Sequence, residues 1–302
     1  MPVREIGASL SQEQWTPPQL VDEINERLEQ LLPRKDVTPR SLREAMSYSL
    51  LAPGKRMRPL LTILTSMHFG CRDLIALDAA CAIEMMHTAS LILDDLPAMD
   101  DALMRRGRPT AHRKFGEDIA ILAGVGLLNH GFGVLATYPG LSADTRVELL
   151  RLVTTAVGTE GLIGGQVLDL KLRDDPADED AIGKINRLKT AALFSAATEA
   201  GAVIAGVGGH MLKTVQEFAL ELGSAFQIAD DLLDDPAFEG RTGKDTGKDL
   251  NKPTILSTLG KEEARKLLHS HLDAARQCLD RTDSADTRLA SILDRGFAQF
   301  LN

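Results

Sequence analysis

Apolar positions recur along this chain at the three-to-four-residue spacing of amphipathic helices, and no stretch shows the convincing alternation of a strand. Leu20, Val21, Ile24, Leu28 and Leu31 mark one face of a helix over Gln19–Leu32. Thr38-Pro39 opens a second helix, over Ser41–Leu51, which stops before Pro53-Gly54. Further helices are predicted over Leu60–Phe69, Asp73–Leu93, Ile119–Leu135, Ser142–Leu172, Ala181–Val207, Thr214–Leu233, Lys261–Leu279 and Asp286–Phe300, with another starting at Pro253. Ser142 has the chemistry of an N-cap, and Gly208-Gly209 marks a break. Ile119–Leu135 carries Ala123, Gly124, Gly126, Gly131 and Gly133. Glycine is costly inside a helix, so these residues predict close packing against another helix or a partner subunit. Residues 1–15 are polar and read as a loose lead. The whole, 1–302, reads as one all-α domain.

Composition agrees with packed helices. Of 302 residues, 44% are hydrophobic and only 4% aromatic, with Ala, Leu, Ile, Val and Met dominant. The net charge of −9 argues against nucleic acid as a partner, because phosphate backbones select basic surfaces. Cys71, Cys81 and Cys278 are odd in number and form no CxxC pair. They make neither a disulfide framework nor a zinc site, and a reducing cytoplasm suits them. The first residues lack an apolar signal core. There is no run of 18 apolar residues, so no membrane span is predicted.

Charge changes the picture where it concentrates. Asp94, Asp95, Asp100 and Asp101 close one long apolar pattern, and Asp230, Asp231, Asp234 and Asp235 close another. Asp-rich patches are commonly solvated faces or caps. Carboxylates this close repel one another unless a cation intervenes, and two such clusters suit several Mg²⁺ ions held against a diphosphate. Asp230 and Asp234 stand four apart, as do Asp231 and Asp235, so each pair shares a helix face. Asp94 and Asp100 would diverge on a regular helix. Pro97 lies between them, and the residue before a proline avoids helical geometry. A helix ending near Asp95 and a bend returning Asp100 toward Asp94 are therefore expected.

The cations have a pattern of their own. Gly54-Lys55-Arg56-Met57-Arg58-Pro59 sets three of them at the start of a helix, where positive charge is unfavourable unless an anion is expected. Arg105-Arg106-Gly107-Arg108 follows the first acidic cluster, and forked guanidinium donors match phosphate oxygens. Glu84, His87 and Asp94 lie on one side of their helix, with the small residues Ala89 and Ser90 about one turn before Asp94. Lys189-Thr190 precede a small, apolar stretch, and Phe226-Gln227 precede the second cluster. Gly164-Gly165-Gln166 and Asp169 read as packing and capping residues, and Asp174–Asp180 as an acidic structural loop. The segment from Gly240 to Asp249 is Gly-rich and contains Lys244 and Lys248.

In this order the motifs resemble those of the trans-isoprenyl diphosphate synthases, or polyprenyl synthetases. The resemblance runs from Gly54-Lys55-Arg56 to Lys252-Pro253-Thr254. Asp94-Asp95-x4-Asp100 is similar to the first aspartate-rich motif, Arg105-Arg106-Gly107 to the arginine pair that follows it, and Asp230-Asp231-x2-Asp234 to the second aspartate-rich motif. It implies about ten helices around a central cavity, usually in a homodimer. It implies about three Mg²⁺, held by Asp94, Asp95, Asp100, Asp230, Asp231 and Asp234 against an allylic diphosphate. Arg105, Lys189, Thr190, Gln227 and Lys244 would bind that substrate, the last four also serving catalysis. Lys55, Arg58, His87 and Arg106 would bind isopentenyl diphosphate. Farnesyl-forming bacterial relatives place an aromatic where this chain has Ala89, so Ala89-Ser90 leave the floor of the product tunnel open. His87–Asp95 looks most like the bacterial geranylgeranyl diphosphate synthases of carotenoid pathways, and a C20 product is expected. Leu93 departs from the histidine that many relatives carry before the first Asp. The rival readings are a C15 or a longer product, a class I terpene cyclase, and a catalytically silent modulatory subunit. A cyclase would not need Lys55 and Arg58, and a silent subunit usually lacks one Asp motif.

Overall fold

In a computed structural model, residues 16–171, 179–234, 256 and 259–300 are described. The chain enters through α1 (Pro17–Leu31), whose apolar stripe buries Leu20, Ile24 and Leu28. Its start is fixed by Gln19, whose side-chain oxygen accepts the Thr16 N–H at 2.9 Å. α2 (Arg40–Leu50) follows, then α3 (Met57–His68) and α4 (Leu77–Asp94). These last two are apolar nearly all round. α3 is buried from Pro59 to His68, and α4 over most of its length. Helices of that kind belong at the centre of a bundle.

A short antiparallel ladder, β1 (Met104–Arg105) with β2 (Arg108–Pro109), is the one sheet among the described residues. It was not anticipated, because two residues per strand leave no alternation to read. α5 (Ala111–Phe115) leads into α6 (Glu117–Thr137). Its glycines do meet another helix: a Cβ on Gly131 would lie 3.0 Å from the Ala82 carbonyl, and one on Gly124 2.9 Å from Leu93 Cγ. α6 thus lies tightly along α4. Among the described residues α6 alone is long and apolar enough to cross a membrane, by length and composition only.

The helix expected over Ser142–Leu172 is two helices. α7 (Ala143–Val157) starts at Ser142, whose hydroxyl accepts the Thr145 N–H at 3.1 Å. It stops at Gly158, and α8 (Leu162–Lys171) begins after a turn. Leucines on both sides keep the helical period across the glycines, which is why pattern alone joined them. Ala181–Val207 is likewise divided. α9 (Glu179–Asn186) passes through a π-helical turn, Arg187–Ala191, into α10 (Ala192–Ile204). α11 (Gly209–Asp234) begins earlier than expected, at the Gly208-Gly209 break. α12 (Lys261–Asp280), α13 (Arg288–Gly296) and a 3₁₀ turn (Ala298–Phe300) complete the order. α3 packs on α4 and α10, α10 on α11 and α7, and α11 on α12.

Candidate active site

The first acidic cluster sits where α4 ends. Beyond Asp94 the chain folds back on itself, and the Asp100 N–H donates to the Asp94 carbonyl at 2.9 Å. The Asp101 N–H reaches Leu96 and the Ala102 N–H reaches Asp95. Burial pushes the Asp94 carboxyl up to about 6, helped by Asp100 and Asp95 and opposed by Lys189 and Arg105. Asp95 differs from its neighbours. It is 3% exposed and both its oxygens lie 2.8 Å from Arg105 Nε. Burial raises its carboxyl too, against the Arg105 hydrogen bond. Asp95 therefore ties the hairpin to the helix end, and its oxygens are already engaged.

Arg58 of α3, His87 of α4 and Arg106 of the β1–β2 hairpin gather beside this bend. Arg58, in the first turn of α3, donates from Nη1 to His87 Nε2 at 3.2 Å. A guanidinium can only donate, so Nε2 accepts and the ring proton is on Nδ1. Arg58 also lies over the Phe194 ring of α10, 4.3 Å from its centroid. Its Nε is buried without a hydrogen-bond partner. Arg106, at the tip of the hairpin with φ 54°, rests on the turn before Lys55: a Cβ on Gly54 would lie 3.0 Å from the Arg106 guanidinium. Tyr48 holds that hairpin down, donating to the Pro109 carbonyl at 2.8 Å while Arg108 stacks on its ring. Lys55 is exposed.

The crowding has an electrostatic signature. Burial, then Arg58 and Arg106, drive His87 well below the usual imidazole range. Burial also lowers Arg58 to about 10, and burial with Arg56 and Arg105 lowers Arg106. A set of cations that depress one another has room for an anion.

Arg56, between Lys55 and Arg58 in sequence, does not join this set. It is 3% exposed and pairs with Glu84 at 2.8 Å. Of the three cations at the start of α3, Arg56 is thus turned into the core, which leaves Lys55 and Arg58, the two that the resemblance implies for isopentenyl diphosphate. Sequence cannot tell the three apart, because the left-handed turn at Arg56, φ 50°, decides which side chain points inward.

The π-helical turn carries Lys189, close enough to lower the Asp94 carboxyl, and Thr190. Such turns are frequent at functional sites. The Thr190 hydroxyl donates to Gln227 Oε1 at 2.9 Å, and Gln227 Nε2 donates to Asp231 Oδ1 at 2.9 Å. Thr190 and Gln227 are thereby joined to the second acidic cluster, on the last turn of α11. Lys189 Nζ lies 2.6 Å from Asp169 Oδ2 of α8. Asp169, read from sequence as a packing or capping position, is a site residue that pattern missed. The only available signal was its place one turn after Gly165. A Cβ on Gly165 would meet the Lys189 backbone nitrogen at 2.5 Å, so this glycine lets α8 abut the π turn. Ala89 is 1% exposed on α4, and Ser90 turns its hydroxyl back to the His87 carbonyl at 2.9 Å. Lys244, Lys248, Asp235, the Lys252-Pro253-Thr254 stretch and the side chain of Asp234 lie outside the described residues.

No three of the His, Cys, Asp and Glu side chains described converge as a ready-made metal cage. A hard cation here would take its other ligands from a diphosphate and from water, which suits Mg²⁺.

An all-helical bundle whose inner helices end in acidic clusters, with guanidinium groups packed beside them, has the make-up of an isoprenoid synthase. The chain belongs to the polyprenyl synthetase family: a model of that family matches residues 39–289. It is a transferase of prenyl groups. It is 42% identical over 267 residues to the geranylgeranyl diphosphate synthase of Pantoea ananas, covering 86% of each chain. It is 40% identical over 260 residues to the farnesyl diphosphate synthase of Geobacillus stearothermophilus, covering 85% of this chain and 88% of the relative. Among solved structures, a geranyltransferase from Helicobacter pylori, complexed with magnesium and isoprenyl diphosphate, superposes with a TM-score of 0.84 at 29% identity. The match covers 94% of this chain and 96% of that one.

Proposed function

We infer that the protein condenses isopentenyl diphosphate head-to-tail with allylic diphosphates, releases pyrophosphate, and ends at the C20 product, geranylgeranyl diphosphate. The observation that carries this reading is the crowding of Arg58, His87 and Arg106 beside two acidic clusters. One diphosphate suits the cations directly; a second suits the carboxylates only through metal ions.

Isopentenyl diphosphate is held by Lys55, Arg58, His87 and Arg106. His87 spends Nε2 on Arg58 and keeps Nδ1–H to donate to a phosphate oxygen. Asp94, Asp100, Asp230, Asp231 and Asp234 would hold about three Mg²⁺, with Asp95 engaged in holding Arg105. Bound Mg²⁺ supplies Lewis-acid stabilisation of the departing pyrophosphate. Arg105, Lys189 and Lys244 add positive charge at the same group. The Thr190 proton is committed to Gln227, so its lone pairs, not its proton, are available to the developing allylic cation. The double bond of isopentenyl diphosphate attacks that cation, and the proton lost afterwards goes to pyrophosphate.

Product length rests on Ala89. Relatives of both product lengths stand at 42% and 40% identity, so overall similarity does not separate C20 from C15. A small residue one helical turn before the cluster leaves about 5.4 Å of extra depth, close to one isoprene unit. The same reading makes the chain one domain. Ile121, Leu122 and Val125 stand 44%, 55% and 53% exposed on α6, and this apolar face supports a homodimer. Three free cysteines suit the cytoplasm.

The test is a product assay with Mg²⁺, isopentenyl diphosphate and, in turn, dimethylallyl, geranyl and farnesyl diphosphates. A C20 alcohol after dephosphorylation is expected, and Ala89→Tyr should shorten it to C15. A C15 product from the unaltered protein would mean that another residue closes the tunnel. No condensation with any starter would overturn the reading.

A further inference from the structure

We propose that Arg56 is a positioning residue: it binds no substrate and fixes Lys55 and Arg58 for isopentenyl diphosphate by locking their turn onto α4. The proposal rests on the reading of the site given above. Every part of the Arg56 fork is committed inside the protein. Nε donates to Asn25 Oδ1 at 2.9 Å and Nη1 to Glu84 Oε1 at 2.8 Å. Nη2 donates to the carbonyls of Leu50 at 3.1 Å and Ala52 at 2.9 Å. One side chain thus gathers α1, the end of α2 and the middle of α4.

The backbone explains the geometry. Arg56 adopts φ 50° and ψ 36°, a left-handed conformation uncommon outside glycine. Its carbonyl accepts the Leu60 N–H at 3.0 Å, the first rung of α3. The turn therefore reverses side-chain direction around Arg56. Lys55 stands exposed before it, Arg56 plunges into the core, and Arg58 emerges one residue into α3. Glu84 and His87 are three residues apart and share one face of α4. They receive Arg56 and Arg58 respectively. These two rungs set the register between the basic turn and the helix that ends at Asp94, and so between the two diphosphate positions.

A positioning role differs from direct binding in a measurable way, because Glu84 is buried against Arg56 and has no donor to offer a diphosphate. Isopentenyl diphosphate binding by calorimetry, and steady-state KM and kcat, would be measured for Arg56→Lys, Glu84→Gln and the apolar pair Arg56→Met with Glu84→Met. The pair removes both buried charges at once, which leaves no unpaired charge in the core. The expected result is that all three variants raise KM for isopentenyl diphosphate by a similar factor, about tenfold, since small misplacements weaken binding steeply. KM for the allylic diphosphate should stay within about twofold, because that substrate is held elsewhere. A rise with Arg56→Lys but not with Glu84→Gln would make Arg56 a direct ligand and overturn the proposal. A lowered Tm with unchanged KM in all three would make the pair purely structural, with the same consequence. Failure of the unaltered protein to bind isopentenyl diphosphate would instead overturn the functional reading beneath it.

Discussion

At the scale of single residues, the site is assembled from contacts that constrain one atom at a time. Gly54 illustrates this. Its backbone angle is ordinary, yet a Cβ there would touch the Arg106 guanidinium at 3.0 Å. The obstacle is the far end of a flexible side chain, so Gly54→Ala should cost little stability, under about 1 kcal/mol. It should raise KM for isopentenyl diphosphate severalfold by displacing Arg106, with kcat at saturation nearly unchanged; steady-state kinetics on the purified variant checks both. Ala89 is the complementary case: on the proposed reading the absence of atoms there sets product length, and Ala89→Tyr should shorten it. Both positions were visible in the sequence as small residues beside motifs. Asp169 was not, because its partner Lys189 lies twenty residues away and only folding brings the two within 2.6 Å.

Between elements, close approach matters more than any one contact. α8 meets the π turn through Gly165, whose hypothetical Cβ lies 2.5 Å from the Lys189 backbone nitrogen and 2.9 Å from Leu188 Cβ. Backbone cannot yield as a side-chain tip does. Gly165→Ala should therefore destabilise by about 1–3 kcal/mol, the usual cost of overpacking. It should also lower kcat, because the displaced turn carries Lys189 and Thr190. Thermal unfolding and product formation measured on the same sample would detect the two effects, and an unchanged kcat would mean that the turn's position does not matter to the chemistry. Among the described residues most helices were legible, because apolar period is a local property; the five-residue α5 was too short to show one. Helix interruptions were not: the break at Gly158 and the π turn at Arg187–Ala191 leave the apolar rhythm intact on either side.

For the molecule as a whole, His68 joins the beginning of the chain to its end. From the last turn of α3, its Nδ1 meets the Asp286 carbonyl at 3.2 Å and its Nε2 the Thr282 hydroxyl at 2.6 Å. The Ser284 hydroxyl donates to the His68 carbonyl at 2.8 Å. Burial lowers the imidazole below its ordinary value of 6.5, against the pull of Asp286. A histidine with a depressed folded pKa binds its proton more readily when unfolded. Its contribution is therefore complete above about 6.5 and is lost as pH falls from there through the folded value. Melting curves from pH 8 to pH 5 should show a fall in Tm below about 6.5 that is smaller in His68→Gln. Equal falls in both proteins would place the acid sensitivity elsewhere.

The all-helical class, the placement of most helices, the two acidic clusters and the cations that accompany them were legible without the fold. Each of these is written in local spacing, which survives without knowledge of what lies across the fold. Tertiary structure decided which charges face inward and which are already spoken for. It turned Arg56 into the core onto Glu84, bound Asp95 to Arg105, set Asp169 against Lys189 and linked Thr190 through Gln227 to Asp231. Those pairings join residues on different helices, and their energies depend on burial and distance, which no local pattern contains.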